Sequence, residues 1–547
     1  MPESLFRKML MRSPARPKTP NRLITKSIPP PIEGWDSSSP IQAMLPKRAL
    51  YLDNWFPEQA YCRIRRGHVL HAQVHDEGEE EIEEPPTPAV PPAPITSAVE
   101  TLMAYHGLTA NKLFAVAGGT INDVTANDDG VFVDDGYTNS RFQHTNFTTS
   151  GGKFLVGVNG ADTPITYDGS TLGAVSVDSD AVDDAIHINA HKRRLWFTIN
   201  ESTVARYLPI DSIGGTSVAF DFGAQFTKGG YLMATGTWTI DSGSGPDDLF
   251  VAISSRGQVA IYQGTNPASA DTWSLVGVFD LGAPIGRRCL TKIAGDLALI
   301  TIDGVIPLSK AISLDRGAIQ LVELTARIQK AMNDAATLYG ANFGWQLIGY
   351  PRGTAAFLNI PTTEGSAGRQ FVMNTLSGAW CRYIGMNAIC WETMDDRIFF
   401  GGAGGKVFEH DIGSLDNGMA ITLKLKPAFN YFGSPGKNKH FKQVRPILTT
   451  NGQVVPSIDL NVDFEDRDPP IVATVIELEG ALWGEAVWGS FEWGSTAEQS
   501  QAEWIEASNV GFCATPNMRA QVSQSSGLDV VLHVNGFDVR YEEAEQV

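Results

Sequence analysis

The sequence predicts a mainly β protein: a β-propeller of six or seven blades joined to a second, sandwich-like β platform domain. Three observations lead there. Apolar strand–turn–strand units recur between about residues 96 and 418. The 54 Gly and 31 Pro are spread along all 547 residues, which punctuates many short elements and disfavours long helices. The last 130 or so residues return to alternating strands without the same repeat.

The repeat is read from seven segments. They begin at Lys112, Lys153, Arg194, Asp248, Asp296, Arg369 and Arg397. The first three starts are 41 residues apart, and later spacings are uneven, so insertions are expected. In each unit the first strand is almost wholly apolar, which implies cover on both faces. A Gly, Asn or Asp turn follows, tolerant of positive φ. One hairpin cannot bury both of its own faces, so the units must stack. All-strand repeats of ~40–50 residues point to propeller blades. A series of β-sandwiches is the competing architecture.

The flanking segments read differently. Residues 1–45 suit an extended arm, with seven Lys or Arg in the first 26 residues and Pro29, Pro30 and Pro31 after them. Such an arm is either a solvated tail or a reach onto a neighbouring subunit or nucleic acid. Residues 46–95 contain platform strands, with a strand pair expected between Ala60 and Val74. An insert at 76–94 follows, seven acids in nine residues and then a Pro-rich run, too polar to bury. Within 96–418 one helical insertion is expected at 318–340. There Leu321, Leu324, Ile328, Met332 and Ala335 share a stripe and Gly340 is a stop. It packs on a blade or contacts a subunit. Residues 419–547 form the C-terminal platform, with Asn535–Gly536 read as a hairpin turn.

Four tryptophans, Trp483, Trp488, Trp493 and Trp504, are the candidate interface residues. Tryptophan joins a large apolar body to one N–H donor and favours interfaces. The alternatives are anchors within their own domain and a carbohydrate platform.

The chain carries no complete chemistry-bearing motif of the kinds that follow. GGAGGK at Gly401–Lys406 lacks the first Gly and the Ser or Thr of a phosphate loop and suits a blade turn. Asn122–Gly130 lacks the end ligands of a calcium loop. There is no G-x-S-x-G. Cys62, Cys289, Cys381, Cys390 and Cys513 are too scattered for zinc and read as buried or free thiols. No catalytic, cofactor or metal residue is expected, and the chain is read as not an enzyme. No apolar run approaches the ~18 residues of a membrane span. The start is basic but has no apolar core of a secretory signal. The net charge of −19 disfavours tight nucleic-acid binding but suits a wall that DNA slides past.

Gly34–His68 carries small residues, then Ala49, Leu52, Asn54 and Pro57, then Arg65 and Gly67 with an extra Arg66 between them. This pattern resembles the N-terminal segment of tail nozzle (tail hub, tail tubular) proteins of short-tailed bacteriophages. Asn374–Tyr383 and the Trp-Gly repeats near residue 490 are also similar to that family. The resemblance implies a structural virion protein of the phage tail, a propeller on a platform made by both chain ends. It implies a homohexameric ring that extends the portal–adaptor channel, touches tail fibre or spike proteins, and lets DNA pass during ejection without sequence-specific binding. The acidic insert departs from the family pattern. A propeller-type receptor- or glycan-binding tail protein is the alternative, motivated by the tryptophans.

Overall fold

A computed structural model describes residues 22–77, 93–241, 246–293, 295–312, 323–452, 454–471, 473–476, 498–524 and 529–543. The chain is mainly β and contains a propeller. Five separate antiparallel sheets follow one another along the chain, at residues 99–134, 143–174, 185–221, 232–280 and 290–307. The first four have four strands and the fifth has three. Two further antiparallel units, residues 346–383 and 390–410, lie at the ends of a larger 14-stranded sheet.

The seven predicted hairpins are all strand pairs; six supply the second and third strands of their sheet or unit, and the one that begins at Arg369 supplies the third and fourth strands of the 346–383 unit. Burial shows why their first strands are apolar on both faces. Leu113, Ala115 and Ala117 pack towards Cys390, Met394 and Phe399 of the 390–410 unit. Phe114 and Val116, on the opposite face of the same strand, pack with Leu155 and Ile165 of the next sheet. Leu195 and Phe197 face one neighbour while Trp196 faces Phe250 and Trp273 of the other. Each second strand therefore belongs to two cores. Burying a large apolar side chain contributes ~1.5–3 kcal/mol, and here both faces collect it. Around the domain, the first strand of each sheet lies against the next sheet, and Cys390–Met394 returns to lie against Val99–Tyr105.

The chain ends are woven into this body. Five N-terminal strands matter: β1 (Ile24–Ile28), β2 (Ala49–Asp53), β3 (Trp55–Pro57), β4 (Cys62–Ile64) and β5 (His68–Gln73). β1 pairs along its whole length with the C-terminal strand Leu532–Glu543. β3 pairs with β4, which reaches the same C-terminal strand. β2 joins Met419–Pro427 and touches the 346–383 unit at Arg382. β5 pairs instead with Lys406–His410 and supplies the fourth strand of the 390–410 unit. β4 and β5 are thus two strands, but they are not paired with each other. Residues 24–28 are a strand of a sheet and not part of a free arm. The first 21 residues, and the insert from 78 to 92, lie outside the described residues.

The C-terminal part contributes strands to two sheets. Lys439–Thr450 and Leu532–Glu543 pair in one, and Met419–Pro427 pairs with Ala514–Gln524 in the other. Side chains of both, among them Leu423, Met518, Val444 and Val539, share one apolar cluster. Asn535–Gly536 is not a turn. The strand runs straight through it, with a register shift opposite Ile447 and Leu448 and Gly536 at φ 144°. A Cβ there would come 2.8 Å from the Ile28 carbonyl oxygen, so Gly536 lets β1 approach a bulge. Residues 318–322 of the expected helical insertion, Leu321 among them, lie outside the described residues. A 3₁₀ turn at Ala326–Ile328 leads into an α-helix at Gln329–Tyr339. Ile328, Met332 and Ala335 are buried as the stripe requires, with Leu324 packed beside them. Gly340 ends the helix in right-handed geometry, so its special conformational freedom is unused.

One joint connects propeller, N-terminal strands and C-terminal part. The fully buried Arg65 guanidinium donates to both Asp416 carboxylate oxygens, at 2.8 and 2.5 Å, and to Asn54 Oδ1 at 2.7 Å. Asn54, at φ 61°, donates to the carbonyls of Ile384 and Thr422 and accepts from the Ile384 N–H. Gly67 lies so close to the backbone of Leu415 that a Cβ would come 1.9 Å from its carbonyl oxygen. Although burial opposes its charge, the hydrogen bonds and charges of His68 and Arg65 hold the Asp416 carboxyl well below the usual range. Arg65→Met should destabilise the chain by about 3–5 kcal/mol in urea unfolding, because it strands a buried carboxylate. Adding Asp416→Asn should recover a large part of that loss.

Candidate functional site

The first strands of the sheets converge on the propeller axis, where there is a small, half-open polar cavity of about 170 Å³. His144, His187, Arg288, Gln346 and Glu392 line it, each from a different sheet or unit or from its approach loop. Arg288 bridges the ring by donating from Nη2 to the Glu100 carbonyl, Thr101 Oγ1 and the Phe142 carbonyl, at 3.0, 2.8 and 3.1 Å. Gln346 exchanges two hydrogen bonds with the backbone of Trp391, at 2.8 and 2.9 Å. These bonds tie neighbouring strands across the axis.

The axial groups have displaced proton affinities. Burial pushes the Glu392 carboxyl up to about 7, opposed by its bond to the Thr393 N–H and by Arg288. Burial also pushes His144 down to about 4, helped by Arg288, and His187 down to about 4. His144 Nε2 lies 3.3 Å from Glu392 Oε2. Near neutrality the cavity therefore holds neutral imidazoles, a charged guanidinium and a carboxyl poised to titrate. The two threonine hydroxyls on its wall are committed: Thr101 donates to the Ser140 carbonyl and Thr291 to the Leu347 carbonyl, both at 2.6 Å.

One end of the axis opens into a cavity of about 580 Å³. Its walls are turns and approach loops of several sheets, with Glu100, Arg141 and Arg287 as the charged groups. Arg141 donates to Glu100 at 3.2 Å and to Glu364 at 2.6 Å. Phe343 is flanked by the Arg141 and Arg288 guanidinia, at 4.7 and 5.0 Å from its ring centre.

Of the predicted interface tryptophans, Trp483, Trp488 and Trp493 lie outside the described residues. Trp504 is half-buried, with the guanidinia of Arg445 and Arg540 at 4.5 and 3.9 Å from its ring. It is therefore held by its own sheet. No sequence motif marks the axial residues, because each comes from a different sheet or unit or its approach loop. Among the described residues no group of three or more His, Cys, Asp or Glu could hold a metal. Gly401–Lys406 is the turn between two strands of the 390–410 unit. All five cysteines are buried and free. Among the described residues no helix is long and apolar enough to cross a membrane.

No protein-family model matches the chain, and no curated protein matches it. Solved structures similar to it include BBS1N in complex with ARL6DN, at 9% identity and TM-score 0.37, covering 63% of this chain and 97% of that one. YCF48 from Cyanidioschyzon merolae is 12% identical, with TM-score 0.34, over 58% of this chain and 97% of that one. The Neurospora crassa Pan2 WD40 domain is 8% identical, with TM-score 0.35, over 58% and 90%.

The axial groups make stability depend on pH. A raised Glu392 favours the fold below its ordinary value of 4.5, and that contribution is lost as pH rises through about 7. Glu392→Gln should thus be more stable than the natural chain at about pH 8, by on the order of 3 kcal/mol, and equal to it below about pH 4.5. Urea unfolding of both proteins at the two pH values checks this. A less stable variant at the higher pH would mean an ionised Glu392 held by Arg288.

Proposed function

We propose that this chain is a structural subunit of a phage-tail nozzle, assembling as a homohexameric ring in the virion. The observation that carries the reading is the joint. The two stretches that resemble nozzle proteins, Gly34–His68 and Asn374–Tyr383, are far apart in sequence and meet in the fold. The Trp35 N–H donates to the Trp380 carbonyl at 2.7 Å. Asn374 Nδ2 donates to the Pro57 carbonyl at 2.9 Å, and Arg382 Nε to Asp53 at 2.6 Å. Ala49 and Leu52 are fully buried in the same joint, and Asn54, Arg65 and Gly67 have the roles given above. Together Ala49, Leu52, Asn54, Arg65 and Gly67 fix a propeller to strands from both chain ends.

In this reading the two units at 346–383 and 390–410 are the sixth and seventh blades, closed by β5. The two sheets of the chain ends are a sandwich-like platform. The platform makes the ring and meets the portal and adaptor above it and fibre or spike proteins beside it. DNA passes between subunits and not along the propeller axis, since a duplex cannot thread a polar cavity of about 170 Å³. A chain of net charge −19 gives a lumen that repels phosphate. The committed hydroxyls of the axial cavity suit a scaffold better than a catalyst.

Native mass spectrometry of the assembled protein should give a six-fold species, and electron microscopy of the particle a six-fold ring on the portal axis. A chain that stays monomeric and is absent from tails would overturn the reading.

A further inference from the structure

We propose that the mouth of the propeller axis binds an oxyanion, a carboxylate or phosphate carried by a small solute, with Arg287 as its principal cation. This inference is independent of the assembly reading.

The charges at the mouth are unevenly used. Arg141 is neutralised by Glu100 and Glu364. Arg288 spends one terminal nitrogen on three protein oxygens. Arg287 is different. Among the described residues it has no ion-pair partner, and its one hydrogen bond runs from Nη1 to the Asn159 carbonyl at 3.2 Å. Of the five N–H donors of a guanidinium, four remain for the cavity. Burial and the nearby Arg141 both work against its charge. An unneutralised, half-buried arginine beside a second arginine is unfavourable on its own, and an anion between the turns relieves it. This occurs in a chain with 61 acids against 42 Lys and Arg, where a carboxylate partner would be easy to supply.

The walls keep that guanidinium open. Gly160 sits beneath it, where a Cβ would come 3.1 Å from Nη1 and 2.9 Å from Ile186 Cγ2. Gly118 and Gly119, a turn at φ 61° and 82°, form another part of the wall with no side chain to fill it. The cavity, about 580 Å³, is within the range that holds small molecules, roughly 300–1,000 Å³. The planar fork of an arginine matches the two oxygens of a carboxylate or phosphate.

The test is isothermal titration of the full chain with inorganic phosphate and, separately, with citrate, at constant ionic strength set by chloride. Saturable one-to-one binding of either anion is expected, and the anion that binds distinguishes the two chemistries. Arg287→Gln should weaken it by roughly tenfold or more. Arg287→Lys, which keeps the charge but not the fork, should fall between. Arg193→Gln, at an exposed pair with Asp211, should bind as the natural chain does. Circular dichroism without anion checks folding of each variant. Should Arg287→Gln not fold, Gly160→Ala takes its place, since its methyl displaces the guanidinium. No saturable binding of either anion, or undiminished binding by the folded variant, overturns the proposal.

Discussion

The buried pairing of Arg65 with Asp416 is the constraint on which the arrangement of this chain depends. A guanidinium with no exposed surface is tolerable only when its charge and its donors are satisfied. Here the partners come from three regions. Asn54 belongs to the N-terminal strands, Ile384 to the end of the 346–383 unit, and Asp416 to the entry of the C-terminal part. None can shift alone without leaving a buried polar group unpaired. Apolar contacts supply most of the stability on either side, but they are not directional. The ion pair and the Asn54 hydrogen bonds fix how the parts meet.

The closing of the 390–410 unit by β5 follows from the same joint. Gly67, next to Arg65, passes the backbone of Leu415 at a distance only glycine allows. The chain then enters β5 in register with Lys406–His410. β4, on the other side of Arg65, faces the C-terminal strand instead. A short stretch therefore commits the N-terminal segment to two sheets at once. Loss of the joint would release both.

The hairpins were legible in the sequence because their lead strands are apolar on both faces. Leu113, Phe114, Ala115 and Val116 announce two cores without any knowledge of the neighbours. The strands before and after each hairpin were not legible. Leu275, Val276 and Val278 on one such outer strand are exposed, so no pattern marks them. β5 was placed with β4 because adjacency in sequence is the only local cue, and its true partner is set by the Arg65 joint. Asn535–Gly536 has the composition of a turn, but long partner strands on both sides override it, and the glycine serves a bulge. The axial site could not be read at all. His144, Glu392 and Arg288 come from different sheets, and only ring closure brings them together. The joint was not legible either: the sequence marks Asn54, Arg65 and Gly67 as a pattern, but Asp416 lies 351 residues away and only the fold sets it opposite Arg65.

Hydrogen–deuterium exchange on the full chain, natural and Arg65→Met, tests most directly whether one joint holds these parts together. Faster exchange is expected in three places at once: β5 with Lys406–His410, β1 with Leu532–Glu543, and Met419–Pro427. The sheets at residues 143–280, remote from the joint, should keep their protection. Faster exchange confined to the few residues around Arg65 would contradict the account, and so would a uniform change over the whole chain.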